Sequence, residues 1–253
     1  MDGLMMQFPL TLTHFFDRAG KYFQKNEVVW RRPDKTIQRS TYGEFHRRTQ
    51  KLANALTRLG VGRGDRVATL GWNHGRHLEA YFAIPLCGAV LHTLNPRLSV
   101  QDIAYIINHA EDAVVMVDDV LWPLWERIRP EVKPRQVIVF GHGQSAPEGA
   151  LDYEQLIEAE MPEFSPPPIA ENDAAGLCYT SGTTGKPKGV LYSHRAMVLH
   201  SMLAALPDSI GLSQSDVVLP VVPMFHVNAW GLPFTATMVG AKQVFPGPHL
   251  DPV

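Results

Sequence analysis

The chain reads as an α/β fold, with helices packed on largely parallel sheets. Segments of helical period alternate with short runs rich in valine and isoleucine along most of its length. The composition, 45% hydrophobic and 19% charged, is that of an ordinary globular protein. At 253 residues the chain is long enough to bury a large core.

The elements follow in order. Residues 11–24 form an opening helix, and strands are expected near Val28–Arg31 and Thr36–Arg39. Phe45, Thr49, Leu52, Leu56 and Leu59 recur at helical spacing, so Tyr42–Leu59 is an amphipathic helix ended by Gly60. Arg66–Leu70 reads as a short buried strand, and Leu78–Val90 as an apolar helix interrupted by Pro85. Ser99 and Asp102 open a further helix with a loose capping signature, whose buried face carries Ile103, Ile106, Ile107 and Ala110. Ala113–Val117 and Gln136–Phe140 are strand-like, and 141–150 is a polar loop. Ser165–Pro168, with three successive prolines, is a stiff linker that cannot be helical. It suggests a division into a first α/β subdomain, 1–165, and the start of a second part, 166–253. No internal repeat is visible.

Charge and composition exclude several classes. A net charge of −2 with scattered basic residues argues against a nucleic-acid partner. The two cysteines, Cys87 and Cys178, sit in apolar surroundings without metal-ligand or disulfide spacing, which fits a reducing, cytoplasmic setting. Residues 217–241 hold no Asp, Glu, Lys or Arg, yet Pro220, Pro223, Pro233, His226 and Asn228 interrupt them, so buried core is expected there rather than a membrane span. No secretory signal is read at the start, and the final residues read as a truncation.

The sharpest motif is Tyr179-Thr-Ser-Gly-Thr-Thr-Gly-Lys-Pro-Lys-Gly-Val190, after a strand-like Ala174–Cys178 and before a helix beginning near His194. Its glycines let backbone amides approach a ligand, its hydroxyls add donors, and Lys186 and Lys188 add positive charge. Oriented amides and cations together suit a polyphosphate. A flexible linker is the bland alternative, but lysines bracketing a proline directly after an apolar strand are unusual for one. A Walker A loop fails, because Pro187 stands where that motif needs Ser or Thr after Gly-Lys.

This segment resembles the phosphate loop of the adenylate-forming superfamily, and the resemblance runs along the whole chain. Ser40–Phe45 resembles the family's first core motif; Gly60-Val61, Gly64–Val67, Gly88–Val90 and Asn95–Ser99 resemble the blocks after it. The resemblance implies the N-terminal part of the adenylation domain, with the rest beyond Val253. It implies ATP and Mg²⁺ as cofactors and CoA as cosubstrate. Ser181, Gly182, Thr183, Thr184, Gly185 and Lys188 would bind the nucleotide's terminal phosphates, and Thr180 would help hold the metal. The family's adenine motif, metal-binding glutamate and catalytic lysine are not found before Val253, so the 253 residues alone are expected to lack adenylation activity.

The second constellation is Pro223-Met-Phe-His-Val-Asn-Ala-Trp-Gly231. Taken alone, a histidine in an apolar run is most often a satisfied core residue, and a tryptophan is most often packing. Here the segment resembles that of medium- and long-chain fatty-acid–CoA ligases. That likeness implies a catalytic role for His226 near the α-phosphate, Val227 beside the nucleotide and Trp230 at the mouth of an acyl tunnel. His74, His92, His109 and Tyr105 are expected to be structural. The partners implied are fatty acid, ATP and CoA, and a homodimer is expected. A related enzyme using another acid or acceptor, or a non-enzymatic fragment retaining nucleotide binding, is the alternative.

Overall fold

The computed structural model describes residues 1, 3–141, 146–180 and 185–249. Its centre is a seven-stranded sheet in the order β7-β6-β5-β3-β4-β8-β9. The strands are β3 (Arg66–Leu70), β4 (Val90–Thr93), β5 (Asp112–Asp118), β6 (Gln136–Phe140), β7 (Leu151–Asp152), β8 (Ala174–Tyr179) and β9 (Gly189–Ser193). All neighbours in it are parallel except β8 and β9. A second sheet runs β10-β11-β1-β2, from β10 (Val217–Val218), β11 (Lys242–Phe245), β1 (Glu27–Arg31) and β2 (Ile37–Thr41). Both sheets take strands from either side of residue 165.

Period-two alternation on the central strands explains the layers. On β5, Val114 and Met116 face a core shared with helices α2 (Tyr42–Arg58) and α3 (Gly75–Leu86). Val115 and Val117 face the opposite core, against α4 (Val100–Ala110) and α5 (Trp122–Ile128). Helices therefore cover both faces, as a parallel sheet requires. Helix α3 is buried on nearly every side and packs against α2, β4 and β1, so it carries no polar stripe. Helix α1 (Thr13–Tyr22) closes the first core, and the short α6 (Tyr153–Glu158) follows β7.

Local chemistry sets the helix starts. Thr41 accepts the Glu44 amide and caps the head of α2. Ser99 accepts the Asp102 amide at 3.0 Å at the head of α4, as the sequence suggested. Helix α3 corrects the expected Leu78–Val90. The His74 ring caps it by accepting the His77 amide at 3.1 Å, and Gly88, at φ 75°, turns the chain into β4. Residues 217–241 form β10, the single turn α8 (Val227–Trp230) and α9 (Leu232–Val239). Among the described residues no helix is long and apolar enough to cross a membrane.

Candidate active site

The carboxyl ends of β4 and β8 open into a cavity of about 520 Å³, the place where parallel α/β sheets usually hold ligands. Its walls come from Thr93–Asn95 after β4, Thr180 after β8, and Phe225–Val227. A second, almost wholly apolar pocket of about 370 Å³ lies between α7 (His194–Ala204) and the α8–α9 segment. Met197, Trp230 and Phe234 line it. Val227 and Tyr192 line both, so the two cavities share a wall.

The phosphate-loop motif is a hairpin. The helix expected near His194 is α7, which begins there, but the strand β9 before it was not foreseen and pairs antiparallel with β8. The Thr180 amide donates to the Lys188 carbonyl at 3.0 Å and closes the hairpin's base. Thr180 is exposed and lines the larger cavity. Ser181, Gly182, Thr183 and Thr184 lie outside the described residues. Gly185 and Lys188 are exposed and line neither cavity. The Lys186 ammonium lies over the Tyr105 ring, 4.9 Å from its centre. Tyr105 and His109 thus meet the hairpin, the latter through a 2.7 Å hydrogen bond with the Tyr179 hydroxyl. His74 and His92 are buried beside Asp118 and Asp112, at 2.7 and 2.8 Å.

The other side of the site is a strained turn. Val227, Asn228, Ala229, Trp230 and Gly231 all have positive φ, from 46° to 70°, so α8 is a turn of left-handed helix. Such backbone costs about 1–2 kcal/mol per L-residue, most for a β-branched one such as Val227. Several side chains hold it in place. Asn73, fully buried, accepts the Met224 amide at 2.6 Å and donates to the Pro220 and Val222 carbonyls at 3.0 and 3.1 Å. The buried Tyr81 hydroxyl donates to the Met224 carbonyl. His200 donates to the Trp230 carbonyl at 3.0 Å, and the Cys178 thiol donates to the Asn228 side-chain oxygen. Gly231 is required twice over: its φ is 70°, and an added Cβ would meet the His200 ring at 2.7 Å. Strain over-determined in this way is characteristic of functional segments.

The turn puts His226 on the surface of the larger cavity, exposed, and not in the core as its apolar neighbours alone suggested. Trp230 is 58% exposed over the apolar pocket, and Val227 is 42% exposed between the two. The structure therefore gathers Thr180, His226 and Val227 at one cavity and Val227 and Trp230 at the other. Asn73, Tyr81, Cys178, Asn228 and His200 were missed as site residues. Only Asn228 had a local signal, being within the singled-out segment.

As a metal ligand, Thr180 offers one neutral oxygen. Among the described residues no group of three or more His, Cys, Asp or Glu side chains gathers to hold a cation. That donor fits Mg²⁺ arriving with phosphate oxygens, which is how this hard, reluctantly dehydrated ion is usually bound.

A model of the AMP-binding enzyme family matches residues 15–253. The chain belongs to that family. It is 58% identical over 248 residues to the long-chain-fatty-acid–CoA ligase of Thermus thermophilus, covering 98% of this chain and 45% of that one. It is 47% identical over 256 residues to the medium-chain-fatty-acid–CoA ligase of Ectopseudomonas oleovorans, covering 99% and 47%. The solved structure of an anthranilate CoA ligase in complex with anthranoyl-AMP superposes with a TM-score of 0.84 at 25% identity, over 96% of this chain and 46% of that one. The chain thus spans about half the length of these AMP-binding relatives. Both the superfamily resemblance and the α/β reading of its N-terminal part are borne out.

Proposed function

We propose that the protein carrying this chain activates a medium- or long-chain fatty acid in two steps, first to acyl-AMP and then to acyl-CoA. The observation that carries this reading is the pair of cavities sharing a wall at Val227, one of mixed polar and apolar lining beside the hairpin and one almost wholly apolar. An alkyl chain fits the second, since each buried methylene contributes about 0.8 kcal/mol. In the first step a carboxylate oxygen attacks the α-phosphorus of ATP. The new P–O bond forms as the α–β phosphoanhydride bond breaks, and pyrophosphate leaves with the electron pair. In the second, a CoA thiolate displaces AMP from the acyl carbon.

The chain's own residues would supply position and charge. Thr180, Ser181, Gly182, Thr183, Thr184, Gly185 and Lys188 would bind the terminal phosphates, and Thr180 would hold Mg²⁺ together with them. The metal neutralises phosphate charge when bound. His226 and Val227 would meet the α-phosphate end, and Trp230 would cover the acyl pocket's mouth. In-line attack of one anion on another needs this fixed geometry and this neutralisation. Two buried free thiols, Cys87 and Cys178, support action in a reducing compartment, the cytoplasm. A homodimer through the N-terminal region remains part of the reading.

The test is acid-dependent ATP–pyrophosphate exchange by the full-length protein, across straight-chain acids from hexanoate to stearate. Exchange with medium or long chains is expected; exchange only with aromatic or very short acids would overturn the substrate class. The 253 residues alone are expected to show none.

A further inference from the structure

We infer that the Asn228 side-chain amide is the donor that holds one carboxylate oxygen of the acid, fixing its head at the wall between the two cavities. The inference rests on the acid-activating reading above. Asn228 is only 5% exposed and lines the apolar pocket, yet its Nδ2 has no hydrogen-bond partner. The Cys178 thiol donates to the amide oxygen, which leaves Nδ2 as the unpaired end of the side chain.

Folded proteins rarely leave a buried amide donor unpaired, and an exception calls for a ligand or a role. Other polar groups in the lining are accounted for. His200 is engaged by the Trp230 carbonyl, and the Ser201 hydroxyl donates to the Met197 carbonyl at 2.9 Å. Tyr192 is partly open to solvent. An alkyl chain filling the pocket offers nothing to Nδ2, whereas the oxygen at that chain's head does. Asn228 lines the apolar pocket, and its neighbour Val227 lines both, so an acid held by Nδ2 would keep its chain in the apolar pocket and its head beside the shared wall. The left-handed backbone at φ 50° is one that asparagine tolerates, which accounts for this residue type carrying the donor.

The experiment uses the full-length enzyme and two variants that keep the turn. Asn228→Gly preserves the backbone and removes the amide. Asn228→Asp preserves the acceptor for Cys178 and replaces the donor with an anionic oxygen facing the carboxylate. In pyrophosphate exchange with decanoate or palmitate, the acid KM is expected to rise about tenfold or more in both, and further in the aspartate variant, in keeping with a lost hydrogen bond to a charged group. The KM for ATP should stay within about twofold, an acid-specific split that a structural role would not give. Acid KM values within about twofold of wild type in both variants overturn the inference. So does an ATP KM rising in step, which marks a disturbed turn. If the unaltered enzyme shows no exchange with any fatty acid, the functional reading fails and takes the inference with it.

Discussion

The two sides of the candidate site are built in opposite ways. The hairpin side is local: β8 and β9 pair, and the Thr180 amide closes the base on the Lys188 carbonyl. The turn side is remote. Residues 227–231 hold a backbone that their own sequence disfavours; Cys178 and His200 bond to Asn228 and Trp230 within it, and Asn73 and Tyr81 bond to the segment 220–224 that leads into it. A turn clamped from several parts of the chain can hold a substrate still. The comparison predicts that lesions in the side chains clamping the turn cost stability, while lesions on the hairpin side cost activity.

The largest expected effect is at Asn73. Asn73→Leu strands the Met224 amide and the Pro220 and Val222 carbonyls in a buried setting. Each stranded group costs about 1–3 kcal/mol, so a loss of about 3–5 kcal/mol is expected in urea unfolding. A loss under about 1 kcal/mol would mean that the turn does not depend on its clamp.

The same contrast explains what was legible in the sequence. Helix α2 announced itself through Phe45, Leu52 and Leu56, because one amphipathic face meets one core. The Gly/Thr/Lys motif stood out because residues of those types in that pattern suit a phosphate. Strand β9 was not: five residues, largely exposed on the edge of the sheet, carry neither period-two burial nor a run of buried valines. The left-handed turn was invisible for a stronger reason. Of Val227, Asn228, Ala229 and Trp230 only asparagine favours positive φ, and the partners bonded to the turn and to the segment leading into it lie as far as 151 residues away. Histidine placement divides similarly, since nothing local separates the buried His77 and His194 from the exposed His226.

Those two buried histidines give the next effect. Burial pushes His77 and His194 down to about 4, from an ordinary 6.5. Between those values the unfolded chain binds protons that the folded chain refuses, so stability falls as pH falls from 6.5 toward 4 and is fully present above 6.5. The limiting slope is about 1.4 kcal/mol per pH unit per histidine. Burial raises the Asp112 carboxyl, which opposes part of this. A net loss of about 2–3 kcal/mol between pH 7 and pH 5 is expected in denaturant titrations, and His194→Gln should flatten the dependence. Equal stability at the two pH values would show that these rings are not held neutral.

On the hairpin side, Lys188→Ala in the full-length enzyme should lower exchange with pyrophosphate about 10- to 100-fold, the scale of a lost charge-assisted contact. Its exposed side chain predicts a stability change within about 0.5 kcal/mol. A large stability loss without an activity loss would reverse the contrast between the two sides.

The smallest effect is the most pointed test of how loosely the hairpin is tethered. The Lys186 ammonium over Tyr105 joins the hairpin to α4, and both partners are near solvent. A cation–π contact of that kind contributes about 0.5–1 kcal/mol. A double-mutant cycle of Tyr105→Leu and Lys186→Ala, read by thermal unfolding, isolates the pair from the separate hydrogen bond between His109 and Tyr179. A coupling of about 0.5 kcal/mol is expected, far below the cost at Asn73. Coupling of several kcal/mol would make the hairpin as firmly clamped as the turn, and the division of labour between a yielding side and a fixed side would no longer hold.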